Sequence, residues 1–261
     1  MKNDLFKIGP LTVHGYGLMI AIGVLAAYLM AEYRAKKKGL DPDKIFDLAI
    51  WCLLGGVLGA KLLYVIVEMK SIIANPKELL KVMDGFVVYG GIIGGIFSGY
   101  LFCRRKHISF LEYFDLVMPS IALAQGFGRV GCLLAGCCYG RETDSAFHIV
   151  FRHSSYAPNN VQLIPTQIIM SVLNFAHFFL LIFLAKRVKA RGQVAACYLM
   201  CYSVGRFFME YLRNDPRGNV SLFSTSQFIS LFILAAGVAL FFVCGKFAGK
   251  TAAAESEAEE S

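Results

Sequence analysis

The sequence predicts an all-α polytopic membrane protein of about seven transmembrane helices, with its N-terminus outside and its C-terminus in the cytoplasm. Three observations carry this. The 261 residues are 57% hydrophobic and only 17% charged, with a mean hydropathy of +0.58. The apolar residues gather in runs of about 20, the length that crosses a bilayer core. Basic residues collect between those runs, on alternate sides. A soluble domain carries nearer a quarter charged residues, and its surface-to-volume ratio cannot hide so much apolar side chain.

The runs lie near 13–33, 45–67, 86–103, 110–134, 166–185, 192–212 and 221–244. The first exceeds the apolar core of a secretory leader, and its strongest basic cluster follows it, so no cleaved signal peptide is expected. Fourteen basic residues fall on one side of the runs, in clusters at Arg34–Lys44, Arg104–Lys106, Lys186–Arg191 and Lys246–Lys250; nine fall on the other. The richer side is cytoplasmic by the positive-inside rule. The net charge of +8 therefore reports topology, and no nucleic-acid partner is expected. The domain plan is one transmembrane domain over 1–250. An outer arm at 68–85 and an outer cap at 135–165 interrupt it, with a short strand expected within 146–151. An acidic, low-complexity tail at 251–261 is expected to be disordered.

Small residues recur at helical spacing. Gly55 and Gly59 form one row, Gly90, Gly94 and Ser98 another, and Gly91, Gly95 and Gly99 a third. In lipid such rows let helices pack closely. For Gly90 and Gly91 a second reading stands, room for a ligand. Five of the eight cysteines lie in or at the ends of apolar runs, where cysteine acts as a small hydrophobe. The other three, Cys132, Cys137 and Cys138, crowd into GCLLAGCCYG. They are read either as packing residues or as thiols with a role. That role is a disulfide from Cys132, or a nucleophile activated by Arg129 or Arg141. No histidine pair has metal-ligand spacing, so neither a metal nor a cofactor is expected.

An ionisable residue within a span is costly and marks a site by default. Arg129 lies near the outer end of span four, Lys61 in the outer half of span two, and Arg206 and Glu210 in the outer half of span six. The last two are four apart and share a helix face. Tyr16 and Tyr89 lie one turn into spans one and three, and Tyr202 one turn below Arg206. A structural ion pair and a snorkelling lysine are the plain account of these charges. Taken as a set, they leave surplus positive charge at headgroup depth. Guanidinium groups bind phosphate through paired hydrogen bonds, so a phospholipid headgroup is the expected ligand.

The stretch GRVGCLLAGCCYGRET (128–143) resembles the signature of the bacterial prolipoprotein diacylglyceryl transferases. So do HGYGLM (14–19), GAKLLYV (59–65), YGGIIGG (89–95), PTQ (165–167) and GRFFMEYLRND (205–215), in the family's order. The resemblance implies transfer of the diacylglyceryl group of phosphatidylglycerol to the lipobox cysteine of preprolipoprotein signal peptides. A thioether forms and glycerol phosphate leaves, at the outer face of the inner membrane. It implies that Arg129 and Arg206 stabilise the leaving phosphate, that Glu210 holds an arginine in place, and that Tyr89 stands in the catalytic set. Tyr16, Lys61, Gly90, Gly91, Gly140, Arg141, Tyr202 and Arg213 are the expected substrate-binding residues. Three positions depart from the commoner motif: Tyr89 where most members have a histidine base, Cys132 for asparagine and Cys137 for glutamate. Tyrosine titrates near 10 and is a poor base at neutral pH. A subgroup with Tyr-Gly-Gly and Gly-Cys-Cys-Tyr-Gly matches this form. The alternatives are a paralogue with another acceptor or a thiol-redox role, and a transporter of an anionic substrate. A transporter would place polar residues at the midplane and on both sides.

Overall fold

The computed structural model describes residues 4–8, 11–74, 86–214, 219–220 and 223–259. A hairpin of β1 (Asp4–Ile8) and β2 (Leu11–His14) opens the chain. Then come α1 (Gly15–Lys37), α2 (Asp43–Val67), the short α3 (Met69–Ala74), α4 (Val88–Arg105) and α5 (Phe110–Ala135). The two-residue strands β3 (Ile149–Val150) and β4 (Gln162–Leu163) precede α6 (Thr166–Leu184) and α7 (Gln193–Met209). A 3-10 turn (Glu210–Leu212) and the pair β5 (Asn219–Val220) and β6 (Phe223–Ser224) lead into α8 (Thr225–Glu259). The protein is thus an all-α polytopic membrane protein with small strand pairs, and each apolar run of the sequence is a helix.

Five of these helices are long and apolar enough to cross a membrane: α1, α2, α5, α6 and residues Thr225–Lys246 of α8. The other two are weaker for visible reasons. The 18 residues of α4 include Gly90, Gly91, Gly94, Gly95 and Gly99. The 17 residues of α7 include Arg206, and this helix gains length only through the 3-10 turn to Leu212.

The structure adds detail to the sequence reading. By contact density the chain divides into two compact units, Met1–Met30 with Phe114–Ser261, and Ala31–Tyr113. The helix α8 runs on to Glu259 and takes in most of the expected disordered tail; alanine and glutamate, which fill KTAAAESEAEES, are strong helix formers. Of the outer arm, 69–74 is helical, and 75–85 lie outside the described residues. The strand expected within 146–151 is β3.

In the unit Ala31–Tyr113, α2 and α4 touch backbone to backbone. A Cβ on Gly55 would collide with the Ser98 side chain and come within 2.8 Å of Gly94 O. One on Gly59 would strike Gly90 O, and one on Gly90 would strike Gly59 O. Ser98 Oγ donates to Trp51 O at 2.6 Å and locks the pair. The close-packing reading of these rows therefore holds for Gly90. Gly91 is looser, its nearest would-be contacts being Gly56 O at 3.4 Å and Ala60 Cβ at 3.5 Å. A groove of about 540 Å³ runs along the two helices, lined by Gly55, Leu58, Lys61, Leu62, Phe97 and Leu101 among others. The Lys61 ammonium lies 5.1 Å from the Tyr64 ring centre and 5.5 Å from that of Phe86, a cation–π setting. Tyr89, in the first turn of α4, is 39% exposed.

The other unit has its core between α5, α6 and α7, where Met118, Ala122, Phe178, Leu181, Val194, Ala195, Cys197 and Tyr198 are buried. One buried carboxylate organises the start of α7. Asp115 accepts from the Gly192 amide at 2.7 Å and the Ala195 amide at 2.8 Å. Gly192 stands at φ 94°, which a residue with Cβ adopts at a cost. The carboxylate serves as the missing N-cap and meets the positive end of the helix dipole.

The glycine contact yields a stability prediction. Gly94→Leu forces α2 and α4 apart and lowers detergent-solubilised stability by about 1–3 kcal/mol or more, read as a drop in Tm. Gly17→Ala, where a new methyl meets nothing within 4 Å, leaves Tm unchanged or raises it by an amount equivalent to about 1 kcal/mol at most.

Candidate active site

The site forms where α5 ends. Arg129 and Cys132 are three residues apart in the last turns of that helix and share a face. The helix then stops at a left-handed Gly136, φ 75°. The Gly136 amide donates to Leu133 O at 3.2 Å and the Cys137 amide to Cys132 O at 3.1 Å. These two bonds are a Schellman motif, which sets the residue after the glycine against the residue five positions back. Here the two are Cys137 and Cys132. Cys138 is also left-handed, φ 58°, a conformation that costs a residue with Cβ about 1–2 kcal/mol. The outcome is a cluster in which the thiols of Cys132, Cys137 and Cys138 all lie within 4.8 Å of one another. All eight cysteines are free thiols.

The start of α6 holds the turn still. Gln167 Nε2 donates to Cys137 O and Thr166 Oγ1 to Cys138 O, both at 2.9 Å. Gln167 and Thr166 are 1% and 0% exposed. The PTQ motif thus anchors the cysteine turn, a role that its sequence alone did not disclose.

Beyond the turn, residues 139–143 form a backbone strip between two neighbours. On one side Gly140 bridges Arg213, the Arg141 amide donates to Leu212 O at 2.9 Å and the Asn214 amide to Tyr139 O at 3.2 Å. On the other side the Ile164 amide donates to Arg141 O at 2.9 Å and the Thr143 amide to Gln162 O at 3.0 Å. Gly140 is buried, and a Cβ there would run into Ile164 O and approach Ile164 Cβ and Thr166 Cγ2 to 2.8 Å. Its glycine serves this close contact. The Arg141 side chain is exposed, and Arg213 is 6% exposed.

Of the sequence-predicted residues, the structure gathers Tyr16, Arg129, Cys132, Cys137, Cys138 and Arg213. Tyr16 crosses α5 at Gly131, where a Cβ would meet its ring and carbonyl at 3.2 Å. It feels the charges of Arg129 and of all three thiols. Cys138 lies within electrostatic reach of Arg213 and Arg129. S–H donation from Cys132 and Cys137 holds the Cys138 thiol well below its ordinary range, and the two guanidinium groups add to this. Cys137 is pushed the other way by hydrogen bonding to Cys132 and Cys138 and by burial, and its Sγ donates to Cys132 O at 3.8 Å.

Arg206 and Glu210 pair as their spacing predicts. Nη1 lies 2.6 Å from Oε2, an ionic contact whose angle falls short of a hydrogen bond, and Nη2 donates to Ser226 Oγ at 2.7 Å. Both side chains are nearly buried, at 10% and 8% exposure. Ser226, on α8, had no signal in the sequence. Tyr202 stacks on Tyr198 with ring centres 5.8 Å apart, and Tyr198 stacks on His177 at 5.2 Å. Gln125 donates to the Tyr198 hydroxyl at 2.8 Å. The stack fixes the face of α7 that carries Arg206. Lys61, Tyr89, Gly90 and Gly91 belong to the other compact unit, described above.

The family model described as prolipoprotein diacylglyceryl transferase matches residues 3–243. The chain belongs to the prolipoprotein diacylglyceryl transferase family. It is 50% identical over 241 residues to the phosphatidylglycerol–prolipoprotein diacylglyceryl transferase of Clostridium tetani, covering 92% of this chain and 97% of that one. The second enzyme of that name in Clostridium perfringens is 46% identical, covering 92% and 94%. The Staphylococcus carnosus enzyme is 33% identical, covering 90% and 87%. The matched range spans the positions 14–215 that hold the motifs named above.

The opposite displacement of two adjacent thiols is measurable. In reduced protein near pH 6.5, a limiting amount of iodoacetamide alkylates Cys138 ahead of Cys137, because only the thiolate reacts. The Cys138 rate persists below the pH at which an ordinary thiol falls silent. Peptide mass mapping across pH 5–9 checks this, and equal labelling of both cysteines contradicts it.

Proposed function

We propose that this chain transfers the diacylglyceryl group of phosphatidylglycerol to the lipobox cysteine of preprolipoproteins, making a thioether and releasing glycerol phosphate. It does so at the outer leaflet of the bacterial inner membrane, with seven spans, N-terminus out and C-terminus in. The observation that carries this reading is the gathering of Tyr16, Arg129 and Arg213 around the end of α5, in a chain half identical to a transferase of that name.

The chemistry needs a thiolate to attack the glyceryl carbon while a phosphate ester departs. Fixed positive charge aimed at the departing phosphate stabilises the transition state most where water is excluded. Arg129 and Arg206 take that role. Glu210 and Ser226 hold the Arg206 plane, so its paired donors meet the phosphate without searching for an orientation. Tyr16 and Tyr202 offer hydroxyls to lipid oxygens, and Arg213, Arg141 and the Gly140 strip frame the outer side. Lys61, in the groove between α2 and α4, attracts an anionic headgroup, and Gly91, looser than Gly90, keeps that part of α4 narrow for lipid. Tyr89 occupies the place of the usual histidine.

The test is transfer to a lipobox peptide by purified protein with phosphatidylglycerol, followed by peptide mass. A diacylglyceryl adduct on the cysteine is expected; folded protein that binds the lipid and gives no adduct overturns the reading. Arg206→Ala and Arg129→Ala each reduce transfer by at least about 10²–10³-fold while the protein stays in the membrane. Arg206→Lys does not rescue it, because an ammonium cannot reproduce the paired donors. A fully active Arg206→Ala variant removes Arg206 from the assignment.

A further inference from the structure

The three-thiol cluster is unused by the roles above, and its geometry suits a metal. Zinc holds thiolate sulfur at about 2.3 Å, which puts the sulfurs of a three-thiolate set about 3.8–4.0 Å apart. The thiols of Cys132, Cys137 and Cys138 already lie within 4.8 Å of one another. Closing that triangle takes side-chain shifts of a few tenths of an ångström, since each sulfur swings on its own χ1. The backbone beneath is fixed by the Schellman pair and by the bonds from Gln167 and Thr166. Cys132 is buried, while Cys137 and Cys138 are half-buried, so one side of the triangle stays open. Three protein ligands and one open position are the usual form of a zinc site that binds substrate.

We propose that Cys132, Cys137 and Cys138 bind a zinc-class divalent cation whose fourth position takes the thiol of the acceptor cysteine. The second half of this proposal rests on the transferase reading; the metal site does not. Three thiolates and one divalent ion leave a single negative charge, which Arg129 and Arg213, both within electrostatic reach of the cluster, offset. A thiol that coordinates such an ion is deprotonated outright. Coordination therefore supplies the thiolate without a separate base. The step balances. The acceptor's S–H proton passes to solvent on coordination. A sulfur lone pair forms the new C–S bond as the glyceryl C–O bond to phosphate breaks, and that bond's electrons leave on the phosphate oxygen of glycerol phosphate. No oxidant or reductant takes part. Arg129 lies three residues before Cys132, about 4.5 Å along the helix, a separation that suits a leaving phosphate one carbon away from the attacking sulfur.

The experiment uses the full chain, purified with its thiols reduced and stripped with chelator. Zinc or cadmium is added, and metal per chain is measured after dialysis. About one equivalent is expected, with an ultraviolet thiolate-to-cadmium band. Cys132→Ser, Cys137→Ser and Cys138→Ser should each weaken binding by about tenfold or more. No retained metal, or equal retention by the triple serine variant, overturns the site. Uptake of monovalent copper alone overturns the open fourth position. Next, a lipobox peptide is added to the cadmium form. The band should intensify as a fourth thiolate joins, and should not change with a peptide carrying serine for cysteine. An unchanged band with the cysteine peptide overturns the coordination of acceptor. Finally, transfer is assayed with stripped and zinc-loaded protein. Full activity in the stripped form overturns the catalytic role while leaving the transferase reading intact. An intensified band with no transfer by any form overturns the transferase reading while leaving the acceptor site intact.

Discussion

Everything at the site depends on how α5 stops. A helix end leaves carbonyls without partners, and near a membrane surface few waters are at hand to satisfy them. Gly136 resolves this by turning left-handed, which only a residue without Cβ does freely. The turn then returns Cys137 to Cys132, brings Cys138 alongside, and launches the strip at 139–143 that reaches Arg213. A helix ending one residue later would carry Cys137 round by about 100° and scatter the three thiols. Arg129 is carried by the same helix, so the guanidinium and the thiols keep one fixed spacing.

A second organising principle is that α7 is held by charge at both ends. At its start the Asp115 carboxylate receives two amides. At its end Arg206 meets Glu210 and Ser226. Between them the Tyr198–Tyr202 stack and the Gln125 bond prevent rotation. A charge buried in this setting is expensive unless paired, so each pair resists loss of one partner far more than loss of both. The helix is shorter than the five candidate spans, and these fixtures replace the apolar area it lacks.

The sequence made some of this legible and left the rest out of reach, for physical reasons. Apolar length alone located the long helices among the described residues, five of which are long and apolar enough to cross a bilayer core. The Arg206–Glu210 pair was legible because both residues share one helix, where spacing is geometry. Gly55, Gly59, Gly90 and Gly94 were legible as a packing seam for the same reason. Ser226 was not, since its position depends on how α8 lies against α7. The bridge from Gly140 to Arg213 joins residues far apart in sequence, and no local pattern records it. The thiol cluster fell between these cases: its residues were noticed, but only the two left-handed turns decide that three sulfurs meet. The division into two units was invisible because its boundaries fall inside α1 and α5, where the helical pattern runs on unbroken.

The strip at 139–143 has one more consequence. It is bonded on one edge to the chain leaving α7 and on the other to the chain entering α6, and it is itself the continuation of α5. Three helix ends are therefore tied together by main-chain hydrogen bonds. Parting any two of them would strand amides and carbonyls at the lipid boundary. Relative motion of α5, α6 and α7 at this end therefore costs main-chain hydrogen bonds, which makes the three helix ends one mechanical block.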